Sequence, residues 1–364
     1  MNNKLSKIKS IQWVMLLSIG VFLSGCTGMA LKSSFQEISE THATLTDEQM
    51  LLNLARRANF QAAHFLQMSS VNASFSFGAT VGGSATYSRT LASIVTKVFS
   101  YVGDFTLSAT ESPTFSFAPL SGSSFAKTAY NPIDTTVFFE QLRQGVPVNQ
   151  LMRMLVVSVV LEYPTGKKMV LTNIPDEGRP ENFRNFLRLS GLARQLQLAQ
   201  SLRIETKGKN NIISIPKEAL PVLTSLYKDP KYAFWQDSLM SIGIEDGTPV
   251  ISIVMRPFSG VLGALGESQS HFKKWLETGI DLDDIPETER QPILTLIWDE
   301  EDEDKITPPT AEIEYLDVDY QIADLIKGKQ LTWNRESFRI LNDLFTIISL
   351  DAKDLPVQQL IKVF

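Results

Sequence analysis

The chain has 364 residues, of which 43% are hydrophobic and 20% are charged, and its formal net charge at pH 7 is −6. This composition is typical of a globular protein with a sizeable core, and a length of about 100–200 residues per domain allows two or three domains. The acidic balance excludes the basic surface that nucleic-acid-binding proteins use. No repeat with the period of a solenoid or a propeller is visible in the sequence.

The N-terminal segment has the three parts of an export signal. Three lysines come before residue 10, Ile11–Leu23 is an apolar run of 13 residues, and Leu23-Ser24-Gly25-Cys26 ends it with small residues and the only cysteine of the chain. The run is shorter than the roughly 20 residues of a membrane-spanning helix. We therefore predict a signal peptide over residues 1–25, whose removal leaves a more acidic chain.

Leu23-Ser24-Gly25-Cys26 resembles the cleavage motif of bacterial lipoproteins. The resemblance implies that the Cys26 thiol receives a diacylglycerol and that its new amine is acylated, for example with palmitate. Two or more acyl chains attach a protein stably, since each buried CH2 contributes about 0.8 kcal/mol. Thr27 stands where lipoproteins retained at the inner membrane typically carry Asp, which implies the outer membrane, on its periplasmic side. The alternatives are an ordinary signal peptide with a chance cysteine, or a free N-terminal anchor.

The rest of the chain predicts an α+β fold, in which mixed or antiparallel strands and packed helices form up to two subdomains, because no steady βαβ alternation is present. We predict a tether over residues 26–45, an N-terminal α+β part over 46–176 and a C-terminal α+β part over 177–364. The boundary is the Pro-, Gly- and charge-rich stretch Asp176–Arg179. Acylation of the only cysteine leaves no disulfide, so core packing alone must stabilise the fold.

The N-terminal part begins with a helix and continues with strands. Thr46-Asp47-Glu48-Gln49 has the sequence of a capping box and predicts a helix that begins there. Val71–Val81 alternates apolar and small polar residues over 11 positions, which predicts a strand, and alternation returns between Phe105 and Phe117. We predict a short helix at Leu91–Tyr101. Val148–Glu162 predicts the most buried helix, because its apolar residues form one broad face that only Arg153 interrupts.

The C-terminal part mixes helices and strands. Pro180–Ser201 and Arg335–Ser349 have the spacing of amphipathic helices. Val250–Met255 is a β-branched run that predicts a strand, and it is followed by a predicted helix, Ser259–Gly279. Ile313–Tyr320 predicts a further strand.

The three histidines do not indicate a metal site or a catalytic base. His42, His64 and His271 have no second His or Cys at ligand spacing, so zinc is not expected. A Ser-His-Asp arrangement can join residues far apart in sequence, but the G-x-S-x-G motif is missing. We predict that His64 and His271 lie at the surface or the edge of the core.

Two further patterns resemble ligand sites but favour other interpretations. The six acidic residues Asp299–Asp304 lack the spacing and the glycine of a calcium loop, which indicates a solvated loop. Gly260, Gly263 and Gly266 do not have the spacing of a phosphate-binding turn. Their interval of three residues puts them roughly on one helix face and favours close helix packing. The sequence therefore predicts no metal and no cofactor.

Several motifs of the remaining chain resemble a family of uncharacterised proteobacterial envelope lipoproteins. They are Glu111–Gly122, Arg256 with Ser259, and Ser337-Phe338 with Leu344-Phe345. The resemblance extends from about Leu45 to the C-terminus. Since the family has no established activity, the resemblance implies a cellular location and a continuous fold rather than a mechanism.

Three functions are compatible with these features. The first is a membrane-anchored, non-catalytic interaction or scaffold subunit of a cell-envelope assembly, whose partner is an envelope protein or a second copy. The second is an oligomeric outer-membrane pore or secretion component that inserts the hairpin 71–117, since transmembrane strands need about 9–11 alternating residues. Asp104 and Glu111 instead favour a half-buried strand there. The third is a hydrolase of unknown substrate that uses a serine and a histidine. The sequence assigns a function only to Cys26.

Overall fold

Helices and small antiparallel sheets combine into an α+β fold, as the sequence predicts. The computed structural model describes residues 35–81, 95–101, 105–120, 123–162, 168–207, 210–214, 216–233, 250–298, 308–324 and 332–350. Within these ranges every strand pairing is antiparallel.

Helices form the larger share of the described residues. In chain order they are α1 (residues 35–58), α2 (Ser123–Tyr130), α3 (Thr135–Arg143), α4 (Val148–Leu155), α5 (Pro180–Leu198), α6 (Leu220–Leu226), α7 (Pro230–Ala233), α8 (Phe258–Gly266), α9 (Ser268–Leu276) and α10 (Trp333–Leu350). Short 3-10 turns lie at Lys217–Ala219 and Glu287–Glu289.

The described strands form three three-stranded sheets and one hairpin. They are β1 (Leu66–Val81), β2 (Val95–Tyr101), β3 (Phe105–Pro119), β4 (Val156–Glu162), β5 (Lys168–Thr172), β6 (Arg203–Lys207), β7 (Asn210–Ser214), β8 (Val250–Met255), β9 (Ile297–Trp298), β10 (Ala311–Tyr315) and β11 (Val318–Ile322). The orders are β1-β3-β2, which we call the long sheet, β5-β4-β8, which we call the central sheet, β10-β11-β9, and the pair β6-β7.

Helix α1 begins earlier than the sequence predicts, and the predicted capping box is wrong. Thr46 lies inside the helix, where its hydroxyl donates to the carbonyl of His42 at 2.8 Å. The helix also covers residues 35–45, the second half of the predicted tether. These residues contain no Gly or Pro, so nothing in their sequence interrupts the helix.

The predicted helix Val148–Glu162 is also wrong in its second half. Helix α4 ends at Leu155, and β4 follows directly at Val156. Four of the seven residues of β4 are valines, whose branched side chains favour a strand. A short apolar run has the same appearance in a buried helix and in a central strand, so periodicity could not separate the two. As the middle strand of the central sheet, β4 pairs with both β5 and β8.

Three other predicted elements differ from the structure. The described part of the predicted helix Leu91–Tyr101 is strand β2, which the pairing with β3 stabilises. The predicted helix Ser259–Gly279 is divided at Glu267 into α8 and α9. The predicted strand Ile313–Tyr320 is the hairpin of β10 and β11, because Leu316 and Asp317 both have positive φ (55° and 59°) and form a tight turn.

The buried apolar side chains form one hydrophobic core. Its largest fully buried members are Trp275, Phe138, Phe186, Phe258 and Phe338. The central sheet joins strands from both sides of the predicted boundary Asp176–Arg179. The division of the chain at that boundary stays a prediction.

Helix α8 packs closely against α1 through two of its glycines. A Cβ atom at Gly266 would lie 2.9 Å from the Cβ of Arg57 and 3.1 Å from the backbone nitrogen of Ala58. A Cβ atom at Gly263 would lie 3.0 Å from Nη2 of Arg57. The glycine spacing therefore serves helix packing at these two positions, as predicted, whereas Gly260 faces Pro257.

The contact at Gly266 gives a testable expectation for stability. Gly266→Ala should lower the free energy of unfolding by about 1–3 kcal/mol, because the new methyl group meets the backbone of α1, which cannot move aside. Urea unfolding followed by circular dichroism measures this change. The control is Lys274→Ala, at an exposed position of α9, which should change the free energy by less than about 0.5 kcal/mol. An unchanged unfolding midpoint for Gly266→Ala would contradict the close packing.

Candidate functional site

The residues that the sequence singles out do not come together in one site. Cys26 and the acidic run 299–304 lie outside the described residues. His42 and His64 are exposed, and His271 on α9 has its Nε2 atom 3.4 Å from Oε2 of Glu267. Among the described residues, no group of three or more His, Cys, Asp or Glu side chains is arranged to hold a metal ion.

Strand β4 follows helix α4 without a loop, and two buried side chains donate hydrogen bonds to the backbone carbonyls at this junction. The Nδ2 atom of Asn173 donates to the carbonyls of Arg153 and Val156 at 2.6 and 2.8 Å. The Nη1 atom of Arg256 donates to the carbonyls of Arg153 and Met154 at 2.9 and 3.1 Å, and its Nη2 donates to the carbonyl of Asn173 at 2.6 Å. The last carbonyls of a helix lack partners within it. Here Asn173 and Arg256 provide those partners.

Burial of Arg256 at this position removes its charged guanidinium from water, which is unfavourable. Arg256 is only 7% exposed, and its guanidinium has no carboxylate partner within the described part of the chain. Burial lowers the pKa of Arg256 to about 10. A guanidinium has five N–H donors, so the three carbonyl bonds leave two of them without a protein partner among the described residues. The junction thus contains a buried positive charge with unused donors.

A cavity of about 310 Å³ opens beside the junction, and we call it the arginine cavity. Its basic lining residues are Arg57 of α1, Arg153 of α4 and Arg256 after β8. The other polar lining residues are Asn173, Glu267, Ser268 and His271. Its apolar wall includes Ile174, Phe183, Phe272 and Ile293.

Arg153 is fixed by several partners. Its Nη2 donates to the carbonyl of Gln291 at 2.6 Å, and its guanidinium carbon lies 5.5 Å from the ring centre of Trp333. The Nη1 atom is 3.6 Å from Oε2 of the fully buried Glu289 and makes no hydrogen bond among the described residues. Burial lowers the pKa of Arg153, and the Glu289 carboxylate opposes that shift. Glu289 therefore compensates the charge of Arg153.

Arg57 has no such compensation within the described part of the chain. Its side chain makes no hydrogen bond and no ion pair there, and its Nε atom is buried without a partner. Its guanidinium lies against Gly263, where the missing Cβ leaves room for Nη2. Three arginines line the cavity, and once Glu289 compensates Arg153 only Glu267 of the described lining is left to balance the other two, so positive charge exceeds negative charge around the cavity. The arrangement is suited to holding an anion.

The cavity does not show a nucleophile paired with a base. The Ser268 hydroxyl donates to the carbonyl of Leu294. His271 makes its described contact with Glu267 instead. Ser268 and His271 thus line the same cavity but contact different partners rather than each other. Their described contacts therefore do not support the hydrolase hypothesis.

The long sheet is joined to the core at its base. Gln49 on α1 accepts from the backbone N–H of Leu66 at 2.6 Å and donates to its carbonyl at 3.0 Å. Asn53, one turn later, makes the same pair of bonds with His64, at 2.7 and 2.8 Å. Phe65 between them stacks on Phe345 with ring centres 4.6 Å apart. Because residues 49, 53 and 57 are spaced by four, one face of α1 contacts both the base of β1 and the arginine cavity.

The register of the long sheet separates two kinds of residues onto its two faces. Strands β1 and β3 pair over fifteen positions, with one bulge between Met68 and Ser70. One face has Val71, Ala73, Phe75, Phe77, Ala79 and Val81 opposite Phe115, Pro113, Glu111, Ala109, Leu107 and Phe105. The other face has Asn72, Ser74, Ser76, Gly78 and Thr80 opposite Thr114, Ser112, Thr110, Ser108 and Thr106. The alternation of β1 therefore continues across β3.

Charged residues are scarce in the long sheet. Lys97 in β2 and Glu111 in β3 are the only Lys, Arg, Asp or Glu residues of its three strands. Lys97 is opposite Ala109, so it occupies a register position diagonal to Glu111. The sheet thus combines a mostly apolar face, which also carries both charged residues, with a face of uncharged, small polar residues.

Comparison of the chain with protein-family models, curated proteins and solved structures found no match. Among the described residues, no helix has both the length and the apolar character needed to cross a bilayer. The function must therefore be inferred from the geometry of this chain.

The arginine cavity was not identified from the sequence, although one signal was present. Arg153 interrupts an apolar run, and a charged residue within a predicted buried helix indicates a polar partner or a cavity. Arg256 enters the sequence analysis only through the resemblance, and no motif in the sequence marks Arg57. Asn173 gives no sequence signal, because its role depends on carbonyls about 20 residues earlier in the chain.

The helix–strand junction generates a prediction of energetic coupling. Asn173→Ala and Arg256→Ala should each lower the free energy of unfolding by about 1–3 kcal/mol, because each leaves buried carbonyls without a donor. Since both side chains donate to the carbonyl of Arg153, the double variant should deviate from additivity by about 0.5–3 kcal/mol. Urea unfolding of the four chains measures the coupling. Additive effects, or a cost no larger than that of the exposed control Arg339→Ala, would refute the shared role.

Proposed function

We propose that the protein is an outer-membrane lipoprotein, anchored through acyl chains on Cys26, whose body faces the periplasm as a non-catalytic interaction subunit of an envelope assembly. The observation that carries the proposal is the long sheet, which has strands of unusual length and one mostly apolar face. The partner is an envelope protein or a second copy of the chain. The resemblance to envelope lipoproteins supports the same assignment.

The dimensions of the long sheet support an interaction role. Strands of globular proteins usually have 3–10 residues, whereas β1 has 16 and β3 has 15. At about 3.3 Å per residue, β1 extends over roughly 50 Å. A sheet with one apolar face requires a second layer to cover it. A partner surface is well suited to provide that layer.

The connection to the anchor supports the proposal as well. The first described residue of helix α1, residue 35, is nine residues after Cys26, so covalent geometry keeps it within about 30 Å of the acylated residue. The same helix holds the base of the long sheet through Gln49 and Asn53. The 14 residues from residue 35 to Gln49 add about 21 Å, so an anchor at Cys26 would keep the base of the sheet within about 50 Å of the membrane surface.

Substitution of Cys26 tests the anchor. Cys26→Ser should abolish incorporation of labelled palmitate and release the chain from the membrane fraction, because a hydroxyl does not replace the thiol that accepts the diacylglycerol. Labelling and fractionation in a Gram-negative host measure both effects. Thr27→Ser is the matched control and should keep label and outer-membrane location, whereas Thr27→Asp should move the labelled chain to the inner membrane. Label on the Cys26→Ser chain would disprove the assignment.

A second candidate function is an oligomeric pore into which each chain inserts the segment 71–117. The observation that favours it is the register, which gives the sheet a mostly apolar face and an uncharged polar face, whereas Lys97 and Glu111 on the mostly apolar face oppose it. The 11 alternating residues Val71–Val81 extend over about 36 Å, and at a tilt of about 45° they cover roughly the 25 Å of an apolar membrane band. In this case lipid covers the apolar face.

Photo-crosslinking from the two faces separates the two functions. A crosslinking residue at Phe77 reports on the apolar face, and one at the adjacent Ser76 reports on the polar face, so each is the matched control of the other. The interaction subunit should give one discrete protein product from Phe77 in living cells. A pore should give lipid products from Phe77, and protease added to intact outer membranes should spare residues 71–117. Products that are equally diffuse from both positions would contradict both functions.

A further inference from the structure

We propose that the arginine cavity binds a small organic anion, whose carboxylate or phosphate group pairs with Arg57 and Arg256 and whose apolar part packs against Phe272 and Ile293. The inference is independent of membrane attachment and of the long sheet. It rests on the donors, charges and shape of the cavity.

Several N–H donors of Arg57 and Arg256 form no hydrogen bond with the described protein groups. Arg57 makes no side-chain hydrogen bond among the described residues, and two of the five donors of Arg256 have no partner there. Buried donors without partners are costly, so most are satisfied by protein, water or ligand. The guanidinium fork matches the two oxygens of a carboxylate or a phosphate.

Charge balance indicates the sign of the ligand. Glu289 compensates Arg153, and Glu267 is the one carboxylate of the described cavity lining against Arg57 and Arg256. Arg256 is buried without a carboxylate partner in the described part of the chain. An uncompensated buried charge is unfavourable unless it gains a partner of opposite charge. An anion in the cavity provides that partner.

The position of Arg57 depends on the fold around it. The missing Cβ of Gly263 leaves space for Nη2 of Arg57, while Gly266 brings α1 close enough for Arg57 to reach the cavity. Arg256 is fixed by three backbone carbonyls. The two guanidinium groups are therefore positioned by packing before any ligand arrives, which lowers the entropic cost of binding.

The size and walls of the cavity define the rest of the ligand. Its volume of about 310 Å³ lies at the lower end of the range for small-molecule pockets. Phe272 and Ile293 are buried apolar residues in its lining. A ligand of this size with a short apolar chain would use both the cationic and the apolar walls.

Titration of the full-length chain in detergent tests the proposal. The probes are hexanoate, hexyl phosphate, inorganic phosphate and hexanol. Hexanoate and hexyl phosphate compare the two acidic groups, inorganic phosphate lacks the apolar chain, and hexanol lacks the charge. The two hexyl anions should bind more tightly than inorganic phosphate and neutral hexanol, and the tighter of them identifies the preferred acidic group. Added salt should weaken binding by screening and competition.

Variants locate the binding in the cavity. Arg57→Gln should weaken binding of the better hexyl anion by about tenfold or more, since it removes charge-assisted hydrogen bonds. Gly263→Ala should also weaken binding, because the new methyl group displaces the Arg57 guanidinium without changing the charge. Arg56→Gln is the charge-matched control. Arg56 is the preceding residue of α1 and bonds to the carbonyl of Ala62, so its variant should bind like the original chain.

Several results would overturn the inference. These are no binding of either hexyl anion up to roughly 10 mM, or equal binding of hexanol. Equal losses for Arg56→Gln and Arg57→Gln would indicate nonspecific charge attraction. If Arg57→Gln does not fold, as judged by circular dichroism, unchanged binding by a folded Gly263→Leu chain, whose larger side chain occupies the space of the Arg57 guanidinium, refutes the proposal on its own.

Discussion

The direct passage from helix α4 to strand β4 is the constraint on which much of the fold depends. Without a connecting loop, the last carbonyls of the helix must find donors elsewhere, since buried polar groups without partners are costly. Asn173, which follows β5, and Arg256, which follows β8, supply them. The two strands that pair with β4 in the central sheet are thus each followed by a residue whose side chain donates to the carbonyls at the α4–β4 junction.

This solution has a consequence for the rest of the molecule. Arg256 brings a positive charge into the interior, and the space beside it is lined by Arg153 and Arg57. Helix α1 contributes Arg57 to that cavity and, from the same face, Gln49 and Asn53 to the base of the long sheet. One helix therefore connects the proposed anchor, the proposed interaction surface and the proposed anion site.

The strand prediction that succeeded and the helix prediction that failed have the same physical origin. Val71–Val81 alternates strictly, and a period of two is incompatible with one face of a helix, so local sequence was sufficient for β1. Val156–Glu162 has no such alternation because β4 is the middle strand of its sheet, and its pairing with β5 and β8 decided its conformation. Likewise, Gln49 has the position of a capping residue, but its amide pairs with the backbone of Leu66, 17 residues later in the chain.

The sequence by itself determined the α+β class, the first strand of the long sheet and the glycine contact of α8, and it predicts the anchor at Cys26. These features depend on the order and spacing of residues that are close together in the chain, so they can be read from a short stretch of sequence. Only the tertiary structure decided that Arg57, Arg153 and Arg256 line one cavity and that Asn173 completes a helix end. These residues come from separate elements, and packing of the whole core brings them together. Their shared chemistry therefore has no local signal in the sequence.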